Sequence, residues 1–158
     1  MQIRFEQFEV ALKLGLWQSS FEIIEDINEL MNIRKGIIKK QTYYKYFLNL
    51  SKLFLKSGYL NYYAFTYFSY YNIYSRNPKI SPKELQEITN HLLLSILSIP
   101  SFPIENSQTP ESQKKILGLL SMTNKVPNRE ELYKIIGEKG ILELASEHVK
   151  DLWRFVFV

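Results

Sequence analysis

The sequence predicts an all-α protein, a right-handed stack of antiparallel helix pairs, on three observations. Apolar residues recur every three or four positions along nearly all of its 158 residues. No stretch shows sustained strand alternation with hairpin turns, and two glycine-centred turns of the same shape each separate two helical segments. The length is that of about one domain, and 46% hydrophobic residues suffice for a real core.

In the first segment Phe5, Phe8, Leu12 and Gly15 fall on one face, and a turn at 15–17 leads into a second helix. That helix sets Phe21, Ile24, Ile27 and Met31 on one side and Glu22, Glu25, Asp26 and Glu29 on the other. A basic connector over 34–40 precedes a third helix at about 41–56. Its apolar stripe is Tyr43, Phe47, Leu50 and Phe54, and its polar stripe Gln41, Lys45, Asn49, Lys52 and Lys56. Gly58 ends it, since glycine accepts the left-handed conformation of a helix stop. The fourth helix, about 59–76, is aromatic on almost every side and requires cover around most of its circumference, as in the middle of a stack. Ser81-Pro82-Lys83-Glu84 predicts a capping box with proline at the first helical position. The fifth helix carries Leu85, Ile88, Leu92, Ile96 and Ile99 and stops at Pro100, and 101–110 predicts an exposed loop. Helical segments follow over 111–122, 128–137 and 141–158, with Asn128 and Glu131 as a second capping arrangement.

The turns Gly15-Leu16-Trp17, followed by Ser20, and Gly58-Tyr59-Leu60, followed by Ala64, place small residues where antiparallel helices approach closely. This glycine–aromatic–small pattern is similar to that of tetratricopeptide repeats, whose period is about 34 residues. The two glycines stand 43 positions apart, so the chain is repeat-like rather than a strict repeat. The expected organisation is one tetratricopeptide- or HEAT-like solenoid fragment, with helix pairs at about 1–33, 39–76 and 81–123 and terminal helices over 128–158.

The absence of cysteine rules out a disulfide framework, cysteine-ligated zinc and a thiol nucleophile. Met1 runs into charged, helix-patterned sequence without a basic-then-apolar leader. The longest strongly apolar stretch, Leu92 to Ile99, is interrupted by Ser95 and Ser98 and is too short for a bilayer. A soluble cytoplasmic protein with no membrane partner is expected. Gly36, Gly58 and Gly118 are isolated, without the glycine cluster of a phosphate-cradling loop. His91 and His148 lack metal-ligand spacing, and the acids of the second helix form one solvated face with no second ligand-rich segment. Neither an enzyme, a small-molecule substrate, a cofactor nor a metal is therefore expected. The apolar run Leu152, Trp153, Phe155, Val156, Phe157 and Val158 suggests that the intact polypeptide continues and covers part of this surface.

Charge carries the functional lead. The first 29 residues hold two basic and six acidic residues, whereas 30–83 hold ten basic residues and no acid. From 84 onward eight basic residues face ten acids, leaving +4 overall. Arg34, Lys35, Lys39 and Lys40 in the connector, with Lys45, Lys52 and Lys56 on one face of the third helix, are the candidate RNA- or partner-binding residues. Tyrosines 43, 44, 46, 59, 62, 63, 67, 70, 71 and 74 are interleaved with these lysines. Their helical spacing assigns most to the core, and a minority is expected at the surface, where bases would stack.

A resemblance adds to this reading. Arg4-Phe5-Glu6-Gln7-Phe8-Glu9, Leu16-Trp17-Gln18, Phe21 with Ile24-Glu25-Asp26-Ile27, and Leu30-Met31 are similar to the largest subunit of eukaryotic translation initiation factor 3. So are Leu50-Ser51-Lys52 with Phe54, Ser57-Gly58, Leu97-Ser98-Ile99-Pro100, Lys139-Gly140-Ile141-Leu142, Ala145-Ser146 and Val149-Lys150-Asp151-Leu152, in order along nearly the whole chain. The resemblance implies the N-terminal helical-repeat region of that family, leading toward a winged-helix PCI module that is missing here. It also implies a non-catalytic scaffold of translation initiation whose partners are other initiation factor 3 subunits and the small ribosomal subunit, including its protein, rRNA or mRNA. The alternative is a peptide- or protein-binding repeat module of another PCI-type assembly, a proteasome lid or signalosome.

Overall fold

A computed structural model describes residues 1–101, 110–123 and 125–157. Its helices are α1 (Gln2–Lys13), α2 (Trp17–Ile33), α3 (Lys40–Ser57), α4 (Leu60–Tyr74), α5 (Pro82–Leu97), α6 (Pro110–Leu119), α7 (Arg129–Glu138) and α8 (Glu147–Phe157), with one 3-10 turn at Ile141–Leu144 before α8. Every regular element among the described residues is helical, so the all-α class stands. The final helical segment divides into the 3-10 turn and α8, and nearly all of the loop expected at 101–110 lies outside the described residues.

The two glycine turns are built alike. Gly15 (φ +71°) and Gly58 (φ +82°) sit in the left-handed region that penalises a Cβ. In the first, Leu16 N–H donates to the Ala11 carbonyl at 3.0 Å and Gly15 N–H to Leu12 at 3.2 Å. In the second, Tyr59 N–H donates to Phe54 at 2.9 Å and Gly58 N–H to Leu55 at 3.2 Å. This paired closure satisfies the last helical carbonyls, and the accompanying apolar contact is the edge-on packing of Tyr59 against Phe54 at 6.5 Å. The predicted small residues lie fully buried just beyond: Ser20, whose hydroxyl donates to the Leu16 carbonyl at 2.8 Å, and Ala64. A third closure of the same kind ends α6. Met122 N–H donates to Leu117 and Ser121 N–H to Gly118, with Ser121 left-handed at φ +56°.

The core is organised around α4, none of whose residues is exposed. α3 covers one side, with Tyr44 edge-on to Tyr74 at 5.1 Å and Phe54 against Tyr62 at 5.4 Å. α5 covers another, with Tyr71 and Thr89 sharing a hydrogen bond at 3.1 Å and Tyr74 donating to Glu84 at 2.5 Å. Lys139, beyond α7, lies over the Phe68 ring at 5.3 Å. The buried Thr66 hydroxyl donates to the Tyr62 carbonyl at 2.6 Å, within its own helix. Some of the ten tyrosines do reach the surface, though only in part. Tyr46, Tyr63, Tyr67, Tyr70 and Tyr71 are buried and the other five half-buried, because α4 is flanked on several sides rather than one.

Neighbouring helices also revise the reading of α3. Tyr46 and Leu53 are buried whereas Tyr43 and Phe47 are half-buried, and Asn49, placed on the polar stripe by periodicity, is 3% exposed. α3 meets α2, α4 and the end of α6, where Tyr46 donates to the Leu119 carbonyl at 2.8 Å, so its buried arc is wider than one stripe. α2 follows its pattern, with Ile24, Ile27 and Met31 buried, and Phe21 reaches Phe54 at 6.2 Å.

At the other end, Ser81 caps α5 by accepting from Glu84 N–H with Pro82 at the first position. Only half of the expected capping box forms, because the Glu84 carboxylate is taken by Tyr74. Asn128 and Glu131 make the complete reciprocal box on α7. α5 packs on α7, the 3-10 turn and α8, and its Asn90 accepts the Ser146 N–H at 2.9 Å. Within the terminal apolar run, Trp153 is buried and Phe157 stacks on Tyr133 at 4.4 Å, whereas Leu152, Phe155 and Val156 are exposed.

No side chain lies within 4 Å of a Cβ built at Gly58, so Gly58→Ala carries the left-handed backbone penalty alone, about 1–2 kcal/mol. Thermal unfolding followed by circular dichroism should show a Tm lower by ~2–8 °C. Ser121→Gly relieves the same strain and should raise Tm by up to ~4 °C; a fall would show that Ser121 is not held left-handed.

Candidate functional site

The connector between α2 and α3 is short and closed. Ile37 N–H donates to the Arg34 carbonyl at 3.0 Å, and Gly36 adopts φ +97° in the turn. Ile38 is half-buried against the core, which pins the far side. Arg34, Lys35, Lys39 and Lys40 are all exposed around this turn. Lys39 is the N-cap of α3 without a side-chain cap, Lys40 is its first residue, and the first turn holds no acid. Two cations at a helix N-terminus oppose the helix dipole, an arrangement that costs about 0.3–1 kcal/mol per charge rather than stabilising the fold.

Along α3, Lys52 and Lys56 are exposed on the arc away from α4, but Lys45 is not free. Its ammonium lies 5.1 Å over the Phe5 ring and 3.5 Å from Gln2 Oε1, so it ties α3 to α1. Among the described residues none of these seven cations is ion-paired. From Lys40 to Lys56 the helix axis runs about 24 Å. The structure therefore brings Arg34, Lys35, Lys39 and Lys40 together at one end of α3 and leaves Lys52 and Lys56 toward the other.

The pattern of cations does not single out Ile33, at the end of α2, or Ile37, inside the basic connector. They are 81% and 85% exposed, among the surrounding cations. The acids of α2 behave as a solvated face: Asp26 pairs with Arg4 at 3.3 Å, and Glu22 accepts from Gln18 at 3.2 Å. A second apolar surface lies on α1, where Ile3, Val10, Leu14 and Leu16 border a shallow groove of about 370 Å³ with Glu6, Gln7 and Ala11. No helix among the described residues is long and apolar enough to cross a membrane.

His91 is held by α4. Its ring stacks on Tyr67 at 4.2 Å and 19°, and its Nε2 shares a 2.5 Å hydrogen bond with the Tyr63 hydroxyl. Although part of the ring remains exposed, this packing removes enough water to lower its pKa below the ordinary imidazole range. On the same seam the hydrogen bond to Glu84 pushes the Tyr74 hydroxyl up to about 12, chiefly because the carboxylate favours the protonated phenol.

The arrangement is a helical stack with a cationic edge, and comparison with known proteins agrees with that architecture. The sequence model described as "eIF3a, PCI domain, TPR-like region" matches residues 1–158, the whole chain. The chain belongs to the eIF3a family. Among curated relatives, the eukaryotic translation initiation factor 3 A-subunit of Kluyveromyces lactis is 32% identical over 148 residues, covering 92% of this chain and 16% of the relative. Its counterpart in Yarrowia lipolytica is 30% identical over 158 residues, covering 98% and 16%. That of Arabidopsis thaliana is 30% identical over 168 residues, covering 97% and 17%. The chain thus spans about one sixth of the length of these eIF3a relatives.

The lowered pKa of His91 sets a sign for the pH dependence. The unfolded imidazole, near 6.5, binds a proton before the folded one does, so stability is full above about pH 6.5 and falls as pH drops through the folded pKa. Tm should therefore fall between about pH 8 and pH 5 by more in the wild type than in His91→Phe. Equal losses in the two proteins would show that His91 titrates alike in both states.

Proposed function

We propose that this chain is a non-catalytic scaffold segment of translation initiation factor 3, acting in the cytoplasm, which holds other factor subunits and touches the small ribosomal subunit through its cationic edge. The observation that carries the reading is the acid-free run of ten basic residues over 30–83, of which Arg34, Lys35, Lys39, Lys40, Lys52 and Lys56 stay exposed and, among the described residues, without an ion-pair partner after folding. An ordinary solvated lysine face is interspersed with acids and placed where it helps the helix. Here Lys39 and Lys40 sit at the helix end where positive charge is unfavourable, which supports a role toward an anionic partner rather than toward folding. Phosphates of ribosomal or messenger RNA suit the exposed Lys52 and Lys56 farther along α3 without sequence readout. The covered tyrosines favour backbone contact over base stacking. Membership of a family whose relatives are, by name, subunits of an initiation factor supports the scaffold role. The expected organisation into helix pairs at 1–33, 39–76 and 81–123 supplies the stacked platform, with 128–158 leading toward a PCI module.

The test is binding to purified small ribosomal subunits across a salt series. Affinity should fall steeply with salt, and reversing Lys52 and Lys56 to glutamate should reduce the log–log slope by ~0.7–0.9 for each phosphate no longer neutralised. Lys40→Glu should move two readouts in opposite directions: Tm rises by ~1–4 °C as the helix dipole is relieved, while affinity at low salt falls. No binding at low salt would remove the ribosomal contact and leave the protein–protein role.

A further inference from the structure

We propose that the α2–α3 connector is a docking knuckle for a separate protein, inserting Ile33 and Ile37 into an apolar slot whose rim is acidic. The connector is shaped for insertion rather than frayed. Arg34 C=O holds Ile37 N–H across a four-residue turn, Gly36 supplies the left-handed step, and Ile38 is packed inward. With Ile38 turned to the core, Ile37 points out, and Ile33, the last residue of α2, stands on the other side of the turn. Single exposed aliphatics are ordinary on a protein surface. Two residues above four-fifths exposure, four positions apart and flanked in sequence by Arg34, Lys35, Lys39 and Lys40, with the acid nearest in sequence, Glu29, a helical turn before Ile33, are a compact amphipathic tip.

The chemistry of that tip selects its partner. Four cations alone would suit RNA, but phosphates and bases gain nothing from two isoleucines, since bases stack on flat rings or guanidinium planes. An aliphatic anchor inside a charged rim is the anatomy of a protein–protein contact, in which the apolar centre supplies affinity and the rim supplies steering and register. An anionic lipid surface also accepts apolar tips flanked by cations. The choice of a protein over a lipid rests on the reading of this chain as part of a multi-subunit assembly. The complementary surface is an acidic segment with an aliphatic or aromatic slot, such as the groove between two helices bearing glutamates.

The experiment places the photo-crosslinker p-benzoylphenylalanine at position 37 of the chain, produced together with the other initiation factor 3 subunits and bound to small ribosomal subunits. The expected product is a protease-sensitive, nuclease-resistant adduct whose peptide, sequenced by mass spectrometry, carries at least two acidic residues within about one helical turn of the linkage. Reversing Lys35, Lys39 and Lys40 to glutamate should suppress it. Ile33→Ser with Ile37→Ser should weaken binding to the crosslinked partner at least ~tenfold while leaving Tm and affinity for single-stranded RNA unchanged. A nuclease-sensitive adduct, an adduct within the chain itself or to a segment without acids, or no adduct in an assembled complex would overturn the proposal. So would isoleucine-dependent binding to vesicles of phosphatidylserine and phosphatidylcholine, which assigns the tip to a lipid surface. Failure of the unlabelled chain to join the complex would overturn the scaffold reading itself, and the proposal with it.

Discussion

Burial of α4 on all sides is the constraint from which the remaining arrangement follows. A helix whose fifteen residues are mostly tyrosine, phenylalanine and other apolar types gains stability only if neighbours cover its whole circumference. It also requires partners for its hydroxyls, because a buried phenol without a hydrogen bond costs about 1–3 kcal/mol. α5 meets both demands along one seam, covering the rings while His91, Thr89 and Glu84 take the hydroxyls of Tyr63, Tyr71 and Tyr74 in succession. α3 meets the first demand on another side, with Leu50, Leu53 and Phe54 fully buried. Since α3 gives most of its circumference to this task, its lysines at 45, 52 and 56 collect in the arc that remains. The cationic edge is thus placed by the packing of α4, although nothing in that packing requires the charges.

The ion pairs that do form are of a kind that contributes little. Arg4 and Asp26 are each about half exposed, and Arg154 with Asp151 more so, which places such pairs at about 0–1 kcal/mol. The uncompensated block over 30–83 adds mutual repulsion in place of attraction. Stability arises from apolar burial and from the closures at Gly15, Gly58 and Ser121, whereas the charge distribution is nearly independent of it. Residues in that position can vary without disturbing the core, which is why charge and exposure together set this edge apart from it.

How much of this was legible in the sequence depended on how many neighbours each element acquires. α2 faces the core with one stripe, and Ile24, Ile27 and Met31 follow the 3.6-residue period. α4 announced its own burial, because no face of it is polar. α3 did not: a single-stripe reading puts Asn49 in water, and only contact with α2, α4 and the end of α6 encloses it. The candidate cations were legible as a block, but the engagement of Lys45 by Phe5 and Gln2 depends on how α1 lies beside α3, which periodicity does not encode. Ile33 and Ile37 were not legible as exposed residues, because their exposure depends on the turn at Gly36 and on Ile38 packing inward, which the spacing of charges does not encode. The third closure escaped notice because serine, not glycine, holds its left-handed position.

The criterion that makes α4 an inner helix also distinguishes α1 and α8. α1 buries Phe5, Phe8 and Leu12, yet Ile3, Val10 and Leu14 are exposed on the opposite side, so it is apolar on two faces and covered on one. α8 buries Val149 and Trp153 and exposes Leu152, Phe155 and Val156. In a stack of helix pairs each unit buries its apolar face on the next, so apolar outer faces on the first and last helices are surfaces of the type on which helices pack. They differ in kind from the cationic edge, which offers charge and two aliphatic anchors. The two kinds of surface differ physically: association through broad helix faces would rest on desolvation, whereas anion binding at the charged edge would weaken as ionic strength rises. Ionic strength would tell the two apart.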